Sequence, residues 1–293
     1  MSHIPVLLKE AVEILNPKPK EVFIDATFGD GGHSTEILKK ILPGGKLLAI
    51  DWDKDAAEKA KKSENFQKPE ITIVNENYAD LPEIVKKLKF PKADGLIVDL
   101  GFSTGQLESG KGFSFLKNEP LDMRFSKNSE LTAAEVINSF SEKDLADIFF
   151  KYGEERFSRR IAKEIFIERK KKRILTALEL AEIIKRSVPK NYERKRIHPA
   201  TRVFQALRIY VNSELENLKT LLVKMEGILN PGSRVAIISF HSLEDRIVKT
   251  HFKELEKEDK AKILTKKPIT ASEEEARDNP KSRSAKLRAI ILK

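Results

Sequence analysis

Cysteine is absent from all 293 residues, which excludes disulfides and thiolate metal ligation. The five histidines (3, 33, 198, 241 and 251) show none of the close spacings of a metal-binding set, so no metal site is expected. No apolar run approaches the roughly 20 residues of a membrane span. The start Met1-Ser-His-Ile-Pro also lacks the basic-then-apolar pattern of an export signal. The expectation is a cytoplasmic protein with no membrane partner.

Acidic residues are the minority charge, 45 Asp+Glu against 55 Lys+Arg, giving +10 and a pI near 9.4. Such a balance suits an anionic partner, although a Lys-rich solvated surface also produces it. Its distribution is more informative. Residues 156–208 hold 17 Lys/Arg and 5 Asp/Glu, a local +12 that exceeds the charge of the whole chain. The run Arg169-Lys170-Lys171-Lys172-Arg173, with Arg194-Lys-Arg and Arg202, forms the footprint of a phosphate-backbone binder.

The chain is organised around residues 22–34, Val-Phe-Ile-Asp-Ala-Thr-Phe-Gly-Asp-Gly-Gly-His-Ser. An apolar strand ends in Asp25, a glycine turn follows, and a helix from about His33 to Ile41 would aim its N-terminal N–H groups at a ligand. Gly31 and Gly32 would let the backbone approach that ligand, or would simply make a tight turn. Ser34 replaces the third glycine of a G-x-G-x-x-G fingerprint, which argues against a nicotinamide dinucleotide.

Lys46–Ile50, Ile71–Asn75 and Gly95–Asp99 read as three further strands with polar ends, the pattern of an open parallel sheet with its ligand at the carboxyl edge. The alternation breaks after Gly101. Residues 101–125 are irregular and too long for an ordinary connection, and 131–210 show only helical periodicity. Sheet pattern resumes at Arg234–Phe240, after a helix over 213–229 stopped by Asn230-Pro-Gly. The tail 266–283 reads as a polar loop, and Ala285–Leu292 as an edge strand. The organisation is therefore an α/β domain (1–110 and 212–293) carrying a helical insertion (111–211), the expected RNA-recognition part.

Asp51 lies where a ribose-binding acid belongs; Asp53 fits the role of helix cap better. Tyr78 either stacks on an adenine or packs. Asp99, after the apolar Leu96-Ile-Val, would bind a cofactor amino group or accept from a substrate amine. Gln106 offers amide contacts or is merely solvated, and His241 either positions a base or phosphate or caps the next helix.

The segments Ala26-Thr-Phe-Gly-Asp-Gly-Gly-His-Ser, Asp99-Leu-Gly, Lys111-Gly-Phe-Ser-Phe, Pro120-Leu-Asp-Met-Arg, His198-Pro-Ala-Thr-Arg, Ser239-Phe-His-Ser-Leu-Glu-Asp-Arg and Asn279-Pro-Lys-Ser-Arg-Ser-Ala-Lys-Leu-Arg-Ala resemble the MraW/RsmH methyltransferases. The resemblance covers nearly the whole chain. It implies a class I, Rossmann-like methyltransferase sheet and methyl transfer from S-adenosylmethionine to the exocyclic N4 of a cytidine in small-subunit ribosomal RNA, free or in the assembled subunit. It places the cofactor on Gly31, Gly32, His33, Asp51, Tyr78, Asp99 and Gln106. Asp99 is then the candidate catalytic acceptor. Substrate candidates are Phe113, Phe115, Arg124, Phe125, Lys170, Lys171, Lys172, Arg202 and His241. Lys111 stands where the family often has Arg, and Asp99-Leu-Gly-Phe differs from the Asp/Asn-Pro-Pro-aromatic tetrad of many amino methyltransferases. The alternative is a non-catalytic RNA-binding protein regulated by a nucleotide-like ligand.

Overall fold

The computed structural model describes residues 5–101, 104–126, 129–190, 192 and 198–293. The chain divides into two units, Met1–Phe102 with Leu215–Lys293, and Ser103–Glu214. The junctions expected from sequence were 110/111 and 211/212. The observed ones differ because a short helix, α5 (Thr104–Glu108), falls in the second unit, as does Glu214, which is bound there by Arg208 at 2.8 and 2.9 Å.

The first unit runs α1 (Leu8–Leu15), β1 (Val22–Asp25), α2 (Gly32–Ile41), β2 (Lys46–Asp51), α3 (Lys54–Lys62), β3 (Ile71–Asn75), α4 (Leu81–Leu88) and β4 (Ala93–Asp99). It resumes with α11 (Glu214–Lys224), β5 (Leu229–Ser239), α12 (Ser242–Lys257), β6 (Ala261–Ile263), α13 (Glu273–Asp278) and β7 (Lys286–Leu292). The strand order is β3-β2-β1-β4-β5-β7-β6, with β7 antiparallel to both neighbours.

Both faces of this sheet are covered, which is why its strands are continuously apolar. Successive side chains point to opposite faces. Ile24, Leu48, Leu96, Val98, Val235 and Ile237 pack with residues of α4, α11 and α12, while Phe23, Leu47, Ala49, Ile97 and Ile238 pack with α1 and α2.

Three expectations are corrected here. Asn230-Pro-Gly is not itself the stop of a helix: α11 ends at Lys224, a 3₁₀ turn over Met225–Ile228 continues it, and β5 begins at Leu229. Leu229 pairs with Ala93 and Arg234 with Gly95, so residues 230–233 bulge out of the ladder, where a proline without an N–H is tolerated. Nor is β7 an edge strand, since β6 covers its outer side. The supposed polar loop before it contains α13 and a 3₁₀ turn, Pro280–Ser284.

The second unit contains α5, α6 (Ala133–Ser139), α7 (Glu142–Gly153), α8 (Ser158–Lys171), α9 (Ala177–Ser187) and α10 (Thr201–Val211). Capping boxes at Thr132 and Thr176 start α6 and α9 by satisfying backbone donors at each N-terminus. Leu145, Phe149, Ile161, Ile165, Leu180, Ile184 and Leu207 form its buried face. Phe150 and Leu178 lie off that face and are 65% and 38% exposed. Each is rotated about 100° from a buried neighbour along the helix.

Candidate active site at the carboxyl edge of the sheet

Strand order reverses between β1 and β4, and an open α/β sheet binds its ligand in the crevice beyond such a reversal. Three carboxyl groups close this edge: Asp25 ends β1, Asp51 ends β2 and Asp99 ends β4.

Asp25 is buried and accepts from Ser34 Oγ at 2.6 Å and from the Thr27 N–H at 3.1 Å. Burial pushes its carboxyl up to about 6, against the opposing pull of those two hydrogen bonds. Asp51 accepts from the Gly29 N–H at 2.7 Å on one oxygen and from the Asp53 N–H at 2.8 Å on the other. Each oxygen retains acceptor capacity, since a carboxylate offers about four lone-pair sites. Burial raises this group to about 7, with the neighbouring charges of Asp53 and Asp25 adding to the shift.

Asp99 is tied to the first turn by its backbone N–H, which donates to Thr27 Oγ1 at 2.6 Å. Its Oδ1 is buried with no hydrogen-bond partner among the described residues. Oδ2 lies 3.9 Å from His33 Nδ1. Burial first, then the charge of Asp25, raises the Asp99 carboxyl to about 7; Glu244 adds to the rise, while a Gly101 N–H and the cation of Lys281 oppose it. His33 Nε2 lies 3.1 Å from the Val6 carbonyl, so that nitrogen carries the proton and Nδ1 is the acceptor in the neutral ring.

The glycines have a different local reason from the one expected. Gly31 has φ +78°, and a Cβ there would meet the rings of Phe28 and Phe66 at 2.5 Å. A Cβ on Gly32 would meet Pro5 at 2.0 Å. Ring packing and a left-handed turn require these two glycines. Their turn nevertheless delivers the N-terminus of the ten-residue α2 to the edge occupied by Asp99.

Asp53 is the N-cap of α3 and accepts from Asp55 N at 3.0 Å, the capping role read for it from sequence. Tyr78 opens a 3₁₀ turn after β3, half-buried against the core beside α4. His241 caps α12: its ring accepts from Glu244 N while the Glu244 carboxylate accepts from the His241 N–H. Capping is thus the alternative that the fold displays for His241.

In the second unit Gln106 lies on α5, half-buried. Phe113 and Phe125 stack on each other with centroids 5.6 Å apart, and Phe115 stacks on His198 at 4.5 Å. Arg124 holds Asp122 with two nitrogens, at 2.7 and 3.0 Å. Lys170 lies over the Phe166 ring, Lys171 pairs with Glu168 and Lys172 with Glu179. Arg202 donates to the Glu154 carbonyl at 3.0 Å. The basic run 194–196 lies outside the described residues. The structure brings together Gly31, Gly32, His33, Asp51 and Asp99 in the first unit; the second-unit candidates group among themselves.

Sequence reasoning missed Thr27, Ser34 as a hydrogen-bond donor, and Lys281. Ser34 was visible only as a missing glycine, with no local signal that its hydroxyl meets Asp25. Among the described residues no group of three His, Asp or Glu side chains is arranged to hold a metal ion, and no helix is long and apolar enough to cross a membrane.

The model of the family described as the MraW methylase family matches residues 1–292. A protein named ribosomal RNA small subunit methyltransferase H from Thermotoga neapolitana is 45% identical over 294 residues, covering 99% of this chain and 96% of its own. One of the same name from Clostridium botulinum is 46% identical over 306 residues, covering 98% and 97%. Among solved structures, a "putative rRNA-methylase" from Clostridium thermocellum aligns over 100% of both chains with a TM-score of 0.50 at 10% identity, a likeness of fold alone. The Rossmann-like methyltransferase sheet expected from sequence is the sheet observed.

Proposed function

Because this chain belongs to the MraW methylase family, we propose that it transfers a methyl group from S-adenosylmethionine to the exocyclic N4 of a cytidine in small-subunit ribosomal RNA, in the cytoplasm. The observation that carries this reading is the buried, unpartnered Oδ1 of Asp99 at the strand-order reversal, beside a helix N-terminus and two further carboxyl groups. The names of relatives about 45% identical over nearly their whole length support the ribosomal RNA substrate.

The donor set fits the cofactor. Asp51 would accept from the ribose hydroxyls with the capacity its two backbone bonds leave. The N-terminal N–H groups of α2, at Gly32 and His33, suit a carboxylate. Tyr78 would line the adenine pocket, Gln106 would contribute amide contacts, and Asp99 would face the amino group or the acceptor amine. When bound, the cofactor supplies an electrophilic methyl on a sulfonium.

The remaining work is orientation. The cytosine amine lone pair is conjugated into its ring, so the amine must be held in line with the methyl and its N–H accepted by a carboxylate; positioning supplies most of the acceleration. Asp99 is the acceptor that this geometry supports. The base must also leave any stack to reach the edge, and Phe113, Phe115 and Phe125 are the aromatic candidates for holding it. Lys170, Lys171, Lys172, Arg124, Arg202 and His241 are the candidates for the RNA backbone and base.

The test is transfer of labelled methyl from S-adenosylmethionine to small-subunit RNA, free and as assembled subunit, followed by nucleoside analysis. Label in N4-methylcytidine is the expected result. RNA binding without transfer would instead make the chain a ligand-regulated RNA-binding protein.

A further inference from the structure

The segment before β7 reaches the candidate site by topology. Because β7 is antiparallel to β5, its first residue, Lys286, pairs with the last residue of β5, Ser239. Asp99 of β4 pairs with Ile238 of the same strand. The turn entering β7 is therefore delivered to the carboxyl edge, two strands from Asp99.

This turn is fixed. Asn279 N donates to the Glu275 carbonyl at 2.7 Å, Ser282 N and Oγ donate to the Asn279 carbonyl at 2.9 and 2.8 Å, and Ala285 N donates to the Ser282 carbonyl at 3.0 Å. Asn279, Ser282 and Ala285 are buried. The preceding helix is anchored in turn, since Glu275 Oε1 accepts from the Leu7 N–H at 2.8 Å. Lys281 rides half-buried on this turn.

His33 from α2 lies 3.9 Å from Asp99, and the charges of Asp25 on β1, Glu244 on α12 and Lys281 on the turn act on the Asp99 carboxyl. Asp25 and Glu244 are acids. Lys281 brings the positive charge. Cytosine presents an amine donor followed by two ring-edge acceptors, N3 and O2. A carboxylate can read only the donor; its neighbour must be a donor itself. We propose that Lys281 is the nucleobase-positioning and specificity residue, donating to the acceptor edge of the cytosine whose amine faces Asp99. The proposal rests on the methyltransferase reading above. Uracil would set a carbonyl oxygen against Asp99 and an N3–H against Lys281, leaving both groups mismatched, which is how a polar site rejects the wrong base.

The experiment compares the parent with Lys281→Met and Lys281→Arg in the full chain. Three quantities are read: steady-state transfer to small-subunit RNA across pH, cofactor affinity by calorimetry, and inhibition by short oligo-C and oligo-U. Lys281→Met should lower kcat/KM about 10- to 100-fold, the loss of one hydrogen bond to a charged group, with cofactor affinity unchanged. Its acid limb should move to higher pH, since the cation favouring ionised Asp99 is gone. Preference for oligo-C over oligo-U should disappear. Lys281→Arg should restore the acid limb.

Parental kcat/KM and acid limb in Lys281→Met would overturn the proposal, as would an acid limb in Lys281→Arg displaced as far as in Lys281→Met, or equal inhibition of the parent by both oligonucleotides. A parent that transfers no methyl group would overturn the underlying reading instead.

Discussion

Thr27 Oγ1 accepts from the backbone N–H of Asp99 at 2.6 Å, joining residues 72 positions apart. The turn after β1 and the end of β4 thus share one hydrogen bond, and the placement of Asp99 depends on the Thr27 side chain.

Thr27→Val keeps the shape but removes the acceptor. It should destabilise the fold by about 1–3 kcal/mol, the cost of stranding a buried donor. Urea unfolding of both proteins checks this. Equal midpoints and slopes would mean that water replaces the hydroxyl.

Asp51→Ala should weaken S-adenosylmethionine binding by about 1.5–3 kcal/mol, the range for hydrogen bonds to a charged group. Calorimetric titration is the measurement. Unchanged affinity in a folded variant would remove Asp51 from the ribose site.

Asp99→Asn tests charge at constant shape. Turnover should fall, because a neutral amide is a poorer acceptor for the amine. Stability should respond in a pH-dependent way. Asp99 titrates near 3.8 when unperturbed and about 7 in the fold, so the folded state binds more protons between those values. Its contribution is fully present below about 3.8 and is lost as pH rises through 7. Asparagine mimics the protonated acid and escapes that loss. The variant should therefore gain stability relative to the parent as pH rises from about 3.8 to about 7, read by urea unfolding without cofactor. A constant difference would mean that the group is not raised.

Changing Lys170, Lys171 and Lys172 together to Ala should flatten the slope of log affinity for RNA against log salt by up to about two units, at about 0.7 per phosphate on a single strand. The exposed pairs Lys171–Glu168 and Lys172–Glu179 do not withdraw these cations from RNA, because surface ion pairs are worth little. Binding across a salt series, with cofactor titration as control, decides it. Identical slopes would leave the run as a solvated helix end.

The first four strands were legible because each is a short apolar run that stops at a polar residue: Asp25, Asp51, Asn75 and Asp99 are the points where each strand reaches the carboxyl edge of the sheet. The Asp53 cap was legible from its position just before a helical pattern. The place of β7 was not, since pairing with β5 and β6 is decided by residues far apart in the chain. The same limit hid the partners of the site. Ser34 and Asp25 are nine residues apart, and nothing local assigns them to each other. Arg124 was read as a substrate contact, and that its fork closes on Asp122 two residues earlier was not part of that reading.

The position of β7 also sets the order in which the sheet can be completed during synthesis. When β5 has emerged from a ribosome, its Val235–Ile238 stretch can already pair with β4, but its other edge must wait until residues 286–291 have been made. Through that interval the nascent chain carries an open apolar strand edge, the feature most prone to pairing with another chain. Pausing translation between these segments should therefore promote aggregation more than a pause after β7.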